Sequence, residues 1–203
     1  MYAALIRGIG EMRTQEQIAR FVSNIAAPPV MALSSAILLA EQSVERGAWR
    51  WATAFGVASV ILPSMYVGVQ VYRGKISDVH VPLREERIRP FIVAAASAIL
   101  VLAVFVWWPA PPVFRMLALA NALQAVVFFV ITLRWKISLH SAAAAGLTVV
   151  GISALSASGA LLVLTVPVVA WSRVRLHRHT LAQTICGAAL GGLIAAFALW
   201  VVK

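Results

Sequence analysis

Apolar runs close to the thickness of a lipid bilayer constrain this chain more than any other feature. About twenty apolar residues carry a helix across the hydrocarbon, and Phe91 to Trp108 supplies such a run without one charged side chain. Phe21 to Leu39, Trp51 to Tyr72, Val113 to Leu133 and Leu181 to Val202 supply others, the first with Pro28-Pro29 set to kink it. Proline cannot continue a helical ladder, so Pro109-Ala110-Pro111-Pro112 forces a turn. Ser141 to Trp171 is too long for one crossing, and Ser156-Ala157-Ser158-Gly159 reads as a break that divides it into two short spans. The fold class expected is all-α, a polytopic transmembrane helix bundle of six to seven spans.

Residues 1–20 read as an N-terminal amphipathic or interfacial segment and residues 21–203 as the transmembrane domain. Leu5, Ile9 and Met12 recur at helical spacing, as in a helix lying along the membrane surface. Thr14 and Gln17 have the spacing of a capping box that opens the first long helix. No cleavable signal sequence is expected, because charged residues from Arg7 to Arg20 interrupt any apolar core of that type.

Composition bears on what surrounds the fold. The chain is 62% hydrophobic and 12% charged, whereas a soluble domain is roughly half apolar and about a quarter charged. Too little polar surface exists to coat a globule, so lipid must solvate most of the outside. The single cysteine, Cys186, excludes an internal disulfide and reads as a small buried filler.

Seven crossings would bring Arg73 to Arg89, Arg134 to His140 and Ser172 to Thr180 to the N-terminal side. Most basic residues fall there, against Arg46, Arg50, Arg115 and Lys203 opposite, which makes the richer side cytoplasmic by the positive-inside rule. Tyr72, Trp135 and Trp171 mark one water interface, and Trp49, Trp51, Trp107, Trp108 and Trp200 the other. The net charge of +10 lies between spans, which excludes nucleic acid as a partner and fits membrane lipids or a phosphorylated substrate.

All acidic residues precede Arg87. Hard divalent cations want several oxygen ligands, usually carboxylates, so the second half offers no cage for Mg²⁺ or Ca²⁺. That half holds His140, His177 and His179. Ser172-Arg173-Val174-Arg175-Leu176-His177-Arg178-His179 gathers arginines and histidines just before a helix that Thr180 and Gln183 could cap. Such a helix start among arginines suits phosphate. Lys136-Ile137-Ser138-Leu139-His140-Ser141 repeats the pattern, and Arg84, Arg87 and Arg89 precede Pro90 in a third segment. Each segment could also be an ordinary basic loop at the membrane surface.

Together the three resemble the signature motifs of the type 2 phosphatidic acid phosphatase (PAP2) superfamily of membrane lipid phosphatases. Its third motif is Ser-Arg, five residues, His, three residues, Asp; here Ser172-Arg173 is followed after five residues by His179. Its second is Pro-Ser-Gly-His, against Ile137-Ser138-Leu139-His140, and its first ends in Arg-Pro, matched by Arg89-Pro90. The resemblance covers roughly residues 75 to 195. It implies that His179 attacks phosphorus, His140 protonates the leaving group, and Arg173, Ser138 and Arg89 hold phosphoryl oxygens, with Arg84, Arg87, Ser172 and Lys136 as further phosphate-binding candidates. It implies a lipid phosphate, or isoprenoid phosphate or diphosphate, as substrate and a phosphohistidine intermediate, with no metal or other cofactor. Two positions depart: Pro82 replaces the lysine of the first motif, and Gln183 replaces the aspartate that orients the nucleophile.

A catalytically weakened or inactive lipid-phosphate-binding protein on the same fold is the alternative. An intramembrane prenyltransferase would need aspartate-rich sites, and only Asp78 is present. A transporter would carry polar residues at mid-membrane, and the spans read as nearly devoid of them. Oligomeric state leaves no mark in the sequence.

Overall fold

The computed structural model describes residues 2–77, 86, 88–108 and 110–202, with side chains from Arg13 onward. Among them every regular element is helical. Helix α1 (Tyr2–Ile25) runs unbroken through Thr14, which is therefore an interior residue and not the cap expected of it. Helix α2 (Pro28–Gln42) begins on the two prolines, where their missing N–H groups interrupt no ladder. Its axis is bent 49° from that of Arg13–Ile25, the kink expected of Pro28-Pro29.

Helix α3 (Ala48–Phe55) opens after Gly47, whose φ of 87° lies in the left-handed region. It continues through a π-helical stretch, Gly56–Ile61, into α4 (Leu62–Tyr72). Pro63 accounts for the wider turn: its ring crowds the Ser59 carbonyl and offers it no donor. The Ser97 hydroxyl donates to the Ala58 carbonyl within the same stretch. Then come α5 (Ile88–Trp107), α6 (Pro112–Thr132) with proline at its first turn, α7 (Leu139–Leu155), a 3₁₀ stretch Ser156–Leu164, α8 (Thr165–Arg175) and α9 (Leu181–Val202).

Leu139–Arg175 forms a helical run of 37 residues, but it is not straight. Ser156 takes φ 55° and ψ −131°, and the chain reverses there. A Cβ on Gly159 would collide with the Gly151 carbonyl, whereas eight residues of straight helix would separate the two by about 12 Å. The run is a hairpin that returns α8 to the side from which α7 departs, and the reversal falls at the expected serine-glycine break. Counting that run once, five helical runs among the described residues are long and apolar enough to cross a membrane, or up to six when the bent α1–α2 pair is one span. The chain is a multi-pass integral membrane protein.

Helix α7 is central, against α9, α2 and its own returning arm; α6 lies between α5 and α9, and α1 runs against α8. Phe55, Phe105 and Phe114 fill the core away from the α6–α7 and α8–α9 connections, with Trp51 edge-on to Phe105 at 5.1 Å. Leu161, Leu193 and Trp200 point outward. So does Cys186, which corrects the expectation of a buried filler.

Helix α9 packs closely on α7. A Cβ on Gly187 would stand 2.5 Å from the Ser138 carbonyl oxygen, and one on Gly191 2.5 Å from the Ala142 Cα. Glycines four apart let helix backbones approach closely where no hydrophobic force drives association. The next residue provides a control: a Cβ on Gly192 would meet Ala145 Cβ at an ordinary 3.6 Å. Both Gly→Ala changes gain about 1 kcal/mol of helix propensity, so their difference reports packing. Gly191→Ala is expected to unfold in detergent at a lower temperature than Gly192→Ala, the overpacking costing about 1–3 kcal/mol. Equal unfolding temperatures would remove the glycine contact from the account of the fold.

Candidate functional site

Two short connections build the site, each ending in a capped helix. In the first, Ser138 is the N-cap of α7; its Oγ accepts from the Ser141 N–H at 3.3 Å and lies 3.0 Å from Ser141 Oγ. Both serines are fully buried. The cap starts α7 so that His140 occupies its first turn, only 8% exposed. The Ser138 N–H donates to the Gln183 carbonyl at 3.3 Å, which ties the start of α7 to the first turn of α9.

In the second connection, His177 adopts φ 53° and turns the chain. The Arg178 and His179 N–H groups then both donate to the Arg173 carbonyl, at 3.0 and 3.2 Å. Helix α9 opens on the capping box read from the sequence. The Thr180 N–H donates to Gln183 Oε1 at 3.1 Å, and the Gln183 N–H to Thr180 Oγ1 at 3.3 Å. Gln183 Oε1 also lies 3.3 Å from His179 Nδ1. An amide oxygen only accepts, so Nδ1 carries the proton in that pair and the neutral ring keeps its lone pair on Nε2.

Arg173 is 4% exposed, and its Nη1 donates to Ser23 Oγ of α1 at 2.5 Å. Arg175 Nε donates to Gln15 Oε1 of the same helix at 3.4 Å. A cation this deep is costly unless hydrogen-bonded, and α1 supplies part of what holds it.

His140, Arg173 and His179 all line one cavity of about 600 Å³. Its remaining wall is mostly apolar, with Met31 of α2, Phe91 of α5 and Leu147 and Val150 of α7 among the contributors. Among the described residues, the other expected ones do not line it. Ser138 acts as a helix cap, and Ser172 is fully buried with its Oγ lacking a hydrogen-bond partner among the described residues. Lys136 is half-buried and Arg89 exposed, although Pro90 beside Arg89 does line the cavity. Arg84 and Arg87, with Pro82, lie outside the described residues. Among the described residues no three His, Cys, Asp or Glu side chains gather as metal ligands.

Sequence reasoning missed Asn121, Gln124 and Ser59, which line the cavity, and Ser23 behind Arg173. Two amides three residues apart inside an apolar span were the available signal for the first pair. Ser23, 150 residues from its partner, gave none. Comparison with protein-family models, curated proteins and solved structures finds no match to this chain.

If Ser23 supports the buried arginine, Ser23→Ala should destabilise the detergent-solubilised protein by about 1–3 kcal/mol, the cost of depriving a buried group of a partner. Ser34→Ala, on the exposed face of α2, should change stability by less than about 0.5 kcal/mol. A chemical-denaturation comparison reads both, and equal effects would leave Ser23 without that role.

Proposed function

We propose that this protein is a membrane lipid phosphate phosphatase acting through a phosphohistidine. The observation that carries the reading is the shared cavity, in which two histidines and a buried arginine line a chamber whose remaining wall is mostly apolar. A phosphate monoester on a hydrophobic tail has the complementary chemistry. Its tail lies among apolar side chains, and its charge meets a guanidinium that can bind two oxygens at once.

His179 Nε2 attacks phosphorus, and the bond from phosphorus to the lipid oxygen breaks. His140, protonated, gives its proton to the departing alkoxide. Water then attacks the phosphohistidine, transfers a proton to His140 and releases inorganic phosphate, which returns both imidazoles to their starting states. Phosphoryl transfer depends mainly on positioning and charge neutralisation, the part assigned to Arg173. Gln183 keeps the His179 proton on Nδ1 but stabilises an imidazolium less than a carboxylate would. That substitution also favours the second reading, a protein that binds lipid phosphates and turns them over slowly or not at all. The concentration of basic residues on the side of the site makes it the cytoplasmic one.

The two histidines separate by leaving group. His179→Ala should abolish phosphate release from a lipid phosphate and from p-nitrophenyl phosphate alike. His140→Ala should lose about 10²- to 10⁴-fold on the lipid, whose alkoxide needs a proton, and far less on nitrophenyl phosphate. Equal losses for His140→Ala would reject its role, and absence of release from any lipid phosphate by the native protein would select the binding-only reading.

Gln183→Glu keeps the length and both acceptor positions while adding a charge beside His179. It should raise kcat by about tenfold, since one pK unit of imidazolium stabilisation corresponds to about 1.4 kcal/mol. An unchanged or lower kcat in folded protein would show that orientation, and not charge, is what position 183 provides.

A further inference from the structure

Asn121 and Gln124 stand three residues apart on one face of α6, and both line the cavity. Neither amide has a hydrogen-bond partner among the described residues. Ser59, on the π-helical stretch across the same cavity, has its Oγ buried and likewise without a partner among the described residues. Three polar residues from two separate elements thus line one cavity inside the membrane. Each is costly there unless something it meets can hydrogen-bond.

Their depth can be read from the packing. Leu123 and Val127 belong to the same apolar cluster as Ile137, Leu139 and Ala142. Gln124 lies about 12 Å of helix before Thr132, where α6 ends on the side of the connection to His140, and Asn121 about 4.5 Å deeper. The polar groups sit deeper than the histidine and arginine end of the cavity, where the part of a ligand beyond its phosphate would lie.

We infer that Asn121, Gln124 and Ser59 form a polar subsite for the linkage region of the ligand, which makes the ligand an acyl lipid phosphate with ester carbonyls within a few bonds of its phosphate. The inference rests on the phosphatase reading for where the phosphate lies. Amide N–H groups and a hydroxyl can donate to ester carbonyls. An isoprenoid phosphate offers only hydrocarbon at that level and would leave all three groups unpaired. A site built to hydrogen-bond its substrate discriminates strongly against an analogue that lacks the acceptor.

The test compares a diacylglycerol phosphate with a polyprenyl phosphate of equal chain carbon number, each presented to the full chain in the same detergent micelles. Inorganic phosphate release should give kcat/KM at least about tenfold higher for the diacyl lipid, and the paired substitution Asn121→Leu with Gln124→Leu should bring the ratio near unity. A ratio, unlike a rate, is insensitive to a smaller folded fraction; if the double variant is not recovered, Gln124→Met and Ser59→Ala are read the same way. A native ratio near or below unity, or one that the substitutions leave unchanged, overturns the subsite. Absence of release from both lipids overturns the phosphatase reading instead. The subsite is then read from the rise in unfolding temperature with each lipid at equal mole fraction: a larger rise with the diacyl lipid, lost in the double variant, supports it, and equal rises overturn it.

Discussion

The backbone contact of α9 on α7 determines where the rest of the site can stand. Gly187 meets the Ser138 carbonyl and Gly191 meets Ala142, so the start of α7 and the second and third turns of α9 share one surface with no side chain between them. Ser138 is at once the cap of α7, a neighbour of Gly187 and a donor to Gln183. The helix that follows His179 and the helix that carries His140 are therefore held together by backbone, which does not change rotamer. In a bilayer, where burying apolar surface drives helix association little, such close packing is the principal attraction available.

A second constraint is electrostatic. A guanidinium that is 4% exposed persists within a membrane protein only when enough of its N–H groups find acceptors. Ser23 is one, and it joins α8 to α1. The Arg173 carbonyl also accepts from two backbone N–H groups of the connection to α9. One residue thus fixes an N-terminal helix, a tight turn and the charge at the end of the cavity. No carboxylate follows Arg87 in the sequence, so nothing in the second half of the chain competes with an anionic ligand for that charge.

Features of the fold that depend on local chemistry were legible in the sequence. The Pro28-Pro29 bend, the reversal at Ser156 and the Thr180–Gln183 capping box each follow from one or two residues with strong backbone preferences. Features set by distant contacts were not. Thr14 has the spacing of a helix start yet lies inside α1, because spacing alone does not interrupt a ladder that already runs. Cys186 faces outward because Gly187 and Gly191, on another face of α9, take the packed position. Within the site, His140, Arg173 and His179 were found because motif and topology pointed to the same end of the bundle. Asn121 and Gln124 were passed over because an apolar run hides which of its few polar residues faces a cavity and which faces a neighbouring helix. Arg89 illustrates the reverse: a motif match gives the residue type, and its exposed position at the start of α5 was beyond the reach of the sequence.

The fold-back at Ser156 bears on how the polypeptide enters the bilayer during synthesis. From Ile137 to Ser172 the chain carries no acidic or basic side chain other than His140, whereas Lys136 and Arg173 bracket the stretch. A helical hairpin with an uncharged tip can be thrown across the membrane as a unit, because no charged group has to be translocated with it. The bracketing cations then act as two feet that stay together on one side of the membrane. His140 follows Lys136 by four residues and Arg173 is the second of the pair, so the insertion event that buries the hairpin also brings the two ends of the cavity wall together.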